Sequence, residues 1–212
     1  MSCCDHDDCC APQADNRYQL ILWVALAVNL TMFGVELVAS IIAGSMSLRA
    51  DALDFLGDAA NYAVALAVVG LALHWRARAA LLKGGVMGLF GLWVAASTLH
   101  NALTATVPQA EVMGGIGLLA LAANLAVAGL LYRYRVADSQ AMSVWLCTRN
   151  DCIANLAVIA AGAGVWISGI HWPDILVAAV IAWLGLSSAA RIIRQARGEL
   201  RHAPALSGAP AE

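Results

Sequence analysis

Long apolar runs separated by short polar breaks set the pattern of this chain. The runs cover residues 20–43, 48–73, 81–102, 112–132, 142–170 and 175–192. A helix rises about 1.5 Å per residue and the hydrocarbon core of a bilayer is about 30 Å thick, so about 20 apolar residues suffice to cross it. The pattern therefore predicts an all-α membrane protein with six transmembrane helices.

Composition supports this. Of 212 residues, 61% are hydrophobic and 12% charged, far more apolar than a soluble domain of this size. Twelve Lys and Arg stand against fourteen Asp and Glu, with no basic stripe, so nucleic acid is not an expected partner. The basic residues are one-sided. Arg17, Arg76, Arg78, Lys83, Arg133, Arg135, Arg191, Arg194, Arg197 and Arg201 fall at the termini and in the second and fourth breaks or at the run ends beside them, leaving only Arg49 and Arg149 elsewhere. Cytoplasmic loops carry the Lys and Arg excess, so both termini are expected in the cytoplasm of a multi-pass protein of the cell (inner) membrane. Residues 1–16 are polar and lack the basic start and apolar centre of a signal peptide, so the first run is expected to be a retained span. The expected organisation is a flexible Cys/His/Asp-rich tail over 1–17, a six-helix unit over 18–194 and a disordered tail over 195–212.

An ionisable group inside a span costs at least a few kcal/mol, which makes each one a candidate functional residue. The second run holds Asp51, Asp54 and Asp58; the fifth holds Cys147, Arg149, Asp151 and Asn155; the first holds Asn29 and Glu36. Asp54 and Asp58 are spaced i, i+4, which puts both carboxylates on one helical face about one turn apart. Without a cation they repel each other and at least one should carry a proton that a divalent ion would displace. Cys147 and Asp151 repeat the spacing. Four O and S ligands from two facing helices suit a tetrahedral Zn2+ or a similar ion. Other roles stay open: Cys147 as a small apolar residue, Asp151 as a partner of Arg149, and Asn29 and Asn155 as interhelical hydrogen-bonding groups. Glu36 lies two turns from Asn29 on the same face, so both are candidates to line a cation path, with Asp51 and Asn155 in support. Cys152 is off the Cys147/Asp151 face and reads as packing.

These residues carry a resemblance. The stretch Gly44-Ser45-Met46-Ser47-Leu48-Arg49-Ala50-Asp51-Ala52-Leu53-Asp54-Phe55-Leu56-Gly57-Asp58, preceded by Asn29 and Glu36, resembles the cation diffusion facilitators, six-span antiporters of divalent metal and protons. Cys147-Thr148-Arg149-Asn150-Asp151 is similar to the family's His-x-x-x-Asp or Asp-x-x-x-Asp pair, with Cys147 in place of its first residue. The resemblance implies a metal held midway through the membrane by Asp54, Asp58, Asp151 and residue 147, and export driven by inward proton flow. It also marks departures: no His-rich segment between the fourth and fifth runs, and no room for the family's cytoplasmic metal-binding domain. Any homodimer is then expected to form through the transmembrane helices.

The expected substrates are Zn2+ and Cd2+, with Co2+ or Pb2+ as alternatives, and no tightly bound cofactor is expected. At the N-terminus Cys3, Cys4, His6, Cys9 and Cys10 gather thiols and an imidazole among acids, a soft set that favours Zn2+, Cd2+, Pb2+ or Cu+. This tail reads either as a capture or sensing arm or as an adventitious metal binder. Two further classes stay open. One is a membrane-embedded Mg2+-dependent lipid phosphotransferase, for which a thiol at 147 is a poor ligand. The other is a metal-sensing or storage protein without transport. The lead expectation is not an enzyme, and no phosphate-binding Gly-rich loop is present to bind a nucleotide.

Overall fold

The computed structural model describes residues 16–67, 73–104, 106–133 and 139–202; side chains at 16, 67, 73–77, 139–147, 149, 199 and 202 lie outside that description. Six helices make up the described residues: α1 (Asn16–Ala43), α2 (Met46–Ala67), α3 (Leu73–Thr104), α4 (Ala110–Tyr132), α5 (Ser139–Ser168) and α6 (Trp172–His202). No strand occurs among them.

Five of the helices, all but α2, contain a segment long and apolar enough to cross a membrane. Their outward faces are greasy: Leu82, Leu89 and Leu103 on α3, Trp166 and Ile167 on α5 and Trp183 on α6 are mostly exposed. Such a surface suits lipid rather than water. α2 differs because it carries Arg49, Asp51, Asp54 and Asp58, and it packs against every other helix. The helix with the most acids is thus the most enclosed. Around it the closest partnerships are α3 with α6, α1 with α2 and α4 with α5.

Two boundaries differ from the hydropathy reading. α6 continues past Arg194 to His202, so residues 195–202 are helical rather than part of a disordered tail. α3 begins at Leu73, ahead of its apolar run. In both cases Ala, Leu and Arg, all good helix formers, carry the helix beyond the apolar segment; hydropathy marks where lipid ends and not where the helix ends. Residues 1–15 and 203–212, and the Cys3, Cys4, His6, Cys9 and Cys10 cluster with them, lie outside the described residues.

The three turns α1–α2, α3–α4 and α5–α6 meet at one end of the bundle. Gly44 takes φ +66°, a left-handed conformation that closes α1, and Ser45 N–H donates back to Ser40 O at 3.0 Å. Gln109 N–H donates to Ala43 O at 2.9 Å, and Asn101 Nδ2 donates to Gly44 O at 3.3 Å. The strongest tie starts on α6. Asp174, fully buried, accepts from Ser45 Oγ (2.7 Å), Met46 N–H (2.7 Å) and Ser47 N–H (2.9 Å), while Ser45 Oγ accepts from Leu48 N–H at 3.2 Å. The first three free N–H groups of α2 are therefore all satisfied, and an acidic group sits where the helix dipole favours one.

Glycines set the close approach of α2, α3 and α6. A Cβ on Gly84 would fall 2.8 Å from Ile193 Cγ1, and one on Gly185 would fall 2.6 Å from Leu53 Cδ2. Small residues at such positions let backbones pack without lipid between them.

Replacing Asp174 with Ala leaves the buried N–H groups of Met46 and Ser47 without acceptors and takes from the Ser45 hydroxyl its shortest bond. The expected loss is about 2–4 kcal/mol, on the scale of hydrogen bonds to charged groups. It should register as a lowered thermal midpoint of the detergent-solubilised protein, with Asp174→Asn in between.

Candidate metal-transport site

α2 presents its acids between two apolar clusters. Met46, Leu48 and Ala50 belong to one, with Val94, Met113 and Val158; Tyr62 belongs to the other, with Leu22, Val127 and Leu131. Between them lie Asp51, Asp54 and Asp58. Asp51 is 1% and Asp58 8% exposed, whereas Asp54 keeps partial exposure. The i, i+4 spacing does place Asp54 and Asp58 near each other, and their charges interact.

Across from α2, α5 supplies the second half of the site. Asp58 and Asp151 come within hydrogen-bonding reach of each other, so the two helices that the sequence paired do bring their acids together. A hydroxyl pair secures the same seam: Tyr62 Oη and Thr148 Oγ1 lie 2.9 Å apart, both buried. The backbone of α5 places residue 147 one turn before Asp151. The side chains of Cys147 and Arg149 are outside the described set, and with them the thiol's role and the Asp151–Arg149 alternative. Among the described residues no three His, Cys, Asp or Glu side chains converge closely enough to hold a metal ion. Cys152 packs, as its position off the ligand face suggested, with its Sγ donating to Thr148 O at 3.3 Å.

α1 closes the site from a third side. Glu36 and Asn29 are both fully buried and share the inward face of that helix. Asn29 Nδ2 donates to Ala25 O at 2.8 Å, and its Oδ1 finds no donor among the described residues. Glu36 faces Asp51 rather than Asn29. On α5, Asn155 is fully buried with both amide atoms unpartnered among the described residues. Orphaned polar atoms of this kind are rare in folded proteins, and their concentration around α2 marks an interior built to receive something polar.

Several residues that matter here were not singled out by the sequence. Tyr62 follows Asp58 by one turn and comes within hydrogen-bonding reach of its carboxyl, as does Asn61. Lys83, which hydropathy assigned to a break, sits half-buried on α3, donates to Asn61 Oδ1 and bears electrostatically on Asp58. A cavity of about 210 Å³ between α2, α3 and α6, lined by Asn61, Lys83 and Gln195 among others, opens beside this pair. The i+4 spacing of Tyr62 was the available signal; for Lys83 none existed, because its role depends on how α3 packs against α2.

A row of carboxyls from two helices, inside an apolar bundle and near one ammonium group, has acidic groups in excess. A divalent cation satisfies such a row, and protons do so in its absence. The family model described as the cation efflux transmembrane domain matches residues 22–200. The chain belongs to the cation efflux family. Members of this family are transporters of metal cations across membranes rather than enzymes, and the helices described above constitute the matched transport unit. No individually curated protein matches the chain. Membership of the efflux family removes the main support from the lipid phosphotransferase alternative.

Tyr62→Phe deletes the hydroxyl shared between Asp58 and Thr148. A loss of about 1–1.5 kcal/mol in unfolding free energy is expected, the usual size for one buried hydrogen bond. Chemical unfolding in mixed micelles, followed by tryptophan fluorescence, measures it.

Proposed function

We propose that this protein exports divalent transition or heavy-metal cations from the cytoplasm in exchange for protons, with Zn2+ and Cd2+ the foremost substrates and Co2+ or Pb2+ further candidates. The observation that carries this reading is the meeting of Asp58 on α2 with Asp151 on α5 inside a cation efflux domain, with Asp54 one turn away. Cys147, one turn before Asp151, completes a mixed oxygen and sulfur ligand set. Such a set favours borderline and soft ions over Mg2+ or Ca2+. Carboxylates that bind metal only when deprotonated make metal and proton alternative occupants, and that exclusion is the coupling.

Enclosure of α2 by the five apolar helices supports reading it as the sixth membrane crossing, since Asp51 and Asp58 are buried among them. The Lys and Arg distribution orients both termini toward the cytoplasm, in the cell (inner) membrane. On that orientation the end bearing Asp174 is the outer end. Alternating access then works by rocking α4 and α5 against α2, opening the Asp58–Asp151 seam to one side at a time. The Cys-rich tail, at the cytoplasmic side, serves as a capture arm that delivers soft metal, and a homodimer forms through the transmembrane helices.

Sealed proteoliposomes carrying a pH dye test the exchange. Zn2+ or Cd2+ should drive proton movement in wild type, Mg2+ should not, and Asp58→Ala should abolish the signal while remaining folded and inserted. No response to any metal from inserted wild type would refute the reading. Lys83 adds a quantitative expectation. Its ammonium opposes arrival of a second cation at Asp58, so Lys83→Met should tighten the apparent metal affinity about 3–10-fold, the scale of one partly screened charge. The metal dependence of the initial rate reports it.

A further inference from the structure

The acids of this bundle fall into two groups with different surroundings. Asp58 has Asp151, Asn61, Tyr62 and Lys83 around it, a set of donors and one positive charge. The second group has none of these. Glu36, from α1, and Asp51, from α2, bring their carboxyls together. Glu36 is 0% and Asp51 1% exposed, and among the described residues no N–H or hydroxyl donates to any of their four carboxyl oxygens. The one basic residue nearby in sequence, Arg49, is directed elsewhere: its guanidinium stacks over the Trp93 ring at 4.9 Å and bears electrostatically on Asp174.

Two buried carboxyls in contact, with no donor besides each other and no counter-ion among the described residues, form an arrangement that a folded protein keeps only with an occupant, a shared proton or a cation. Water alone does not balance the charge. The oxygens belong to two different helices, so an occupant between them joins α1 to α2. Asp51 lies one turn from Asp54 on α2, toward the end capped by Asp174, and Glu36 also interacts with Asp54.

We propose that Glu36 and Asp51 form a second cation-binding station, distinct from the Asp54/Asp58/Asp151 site and one helical turn closer to the Asp174 end, which takes a divalent metal through oxygen ligands alone. Two carboxylates match the charge of one divalent ion. With no thiol or imidazole in contact among the described residues, the station accepts hard and borderline ions such as Mn2+, Co2+ and Zn2+ rather than selecting for soft ones. Its place along α2 makes it the next stop for an ion leaving the main site. In that respect the inference rests on the transport reading, although the binding it asserts is measured without transport.

Mn2+ is the probe, because thiols bind it weakly and its six-line paramagnetic resonance signal disappears when it is bound. The full-length chain in detergent micelles should bind two Mn2+, Glu36→Gln and Asp51→Asn should each bind one, and Asp58→Asn should also bind one. Glu36→Gln and Asp51→Asn are near-isosteric. A Mn2+-induced rise in thermal midpoint that survives in Asp58→Asn but is absent from Glu36→Gln/Asp58→Asn guards against a misfolded variant giving the same count. An unchanged Mn2+ count in both Glu36→Gln and Asp51→Asn would overturn the station and show that a proton alone occupies the pair. Wild type that moves metal in proteoliposomes while its Mn2+ count is the same in Glu36→Gln and Asp51→Asn would refute the station and leave transport standing. Two Mn2+ bound without any transport would do the reverse.

Discussion

A helix bearing four ionisable residues within ten positions of its crossing length cannot lie against hydrocarbon, and that constraint organises the bundle. α2 must be covered on all sides, so the other five helices, each apolar enough to face lipid, gather round it. Many of their tryptophans and leucines turn outward and many of their small residues turn inward, the reverse of a soluble helical protein. Glycines at 84 and 185 permit the approach on the α3 and α6 side, where any larger residue would hold the helices apart. The carboxyls thereby come to lie in a dry interior whose walls supply few donors.

Within that interior, charge balance differs from one acid to the next. Asp58 is embedded among hydroxyl, amide and ammonium groups and can remain ordered whatever occupies the site. Glu36 and Asp51 have each other and the like charge of Asp54, and no other donor among the described residues. The same protein thus keeps a buffered acid and an unbuffered pair a short way apart along one helix. On the route proposed above, a cation passing along α2 meets a graded series of environments rather than a single well. Conduction through a low-dielectric medium needs binding that is favourable at each stage and deep at none.

Much of this was legible in the sequence, for identifiable reasons. Length and apolarity pointed to six helices, since an apolar run as long as a bilayer is thick has little use except as a crossing helix. The i, i+4 spacing of Asp54 and Asp58, and the position of Asp151, pointed to the pairing across α2 and α5. The role of Asp174 was not legible: near the start of the last apolar run it looks like a turn residue, and nothing local reveals that it caps a helix more than a hundred residues earlier. The Gly44-Ser45 pair was legible as a motif without a cause, and the cause is the left-handed turn and the cap that follow each other there. Lys83 looks like the marker of a break because an isolated basic residue near an apolar run carries no sign of what it packs against. Helix ends at Leu73 and His202 escape a hydropathy reading because propensity continues where hydropathy stops.

The Asp174 cap also has a mechanical meaning. It joins the first turn of α2 to the first turn of α6 through three short hydrogen bonds, and α6 is in turn packed along α3. At that end the three helices are joined by one carboxyl. In the rocking mechanism proposed above, that joint makes α2, α3 and α6 the fixed side, and the swing that exposes the acids falls to α4 and α5, which the carboxyl does not hold.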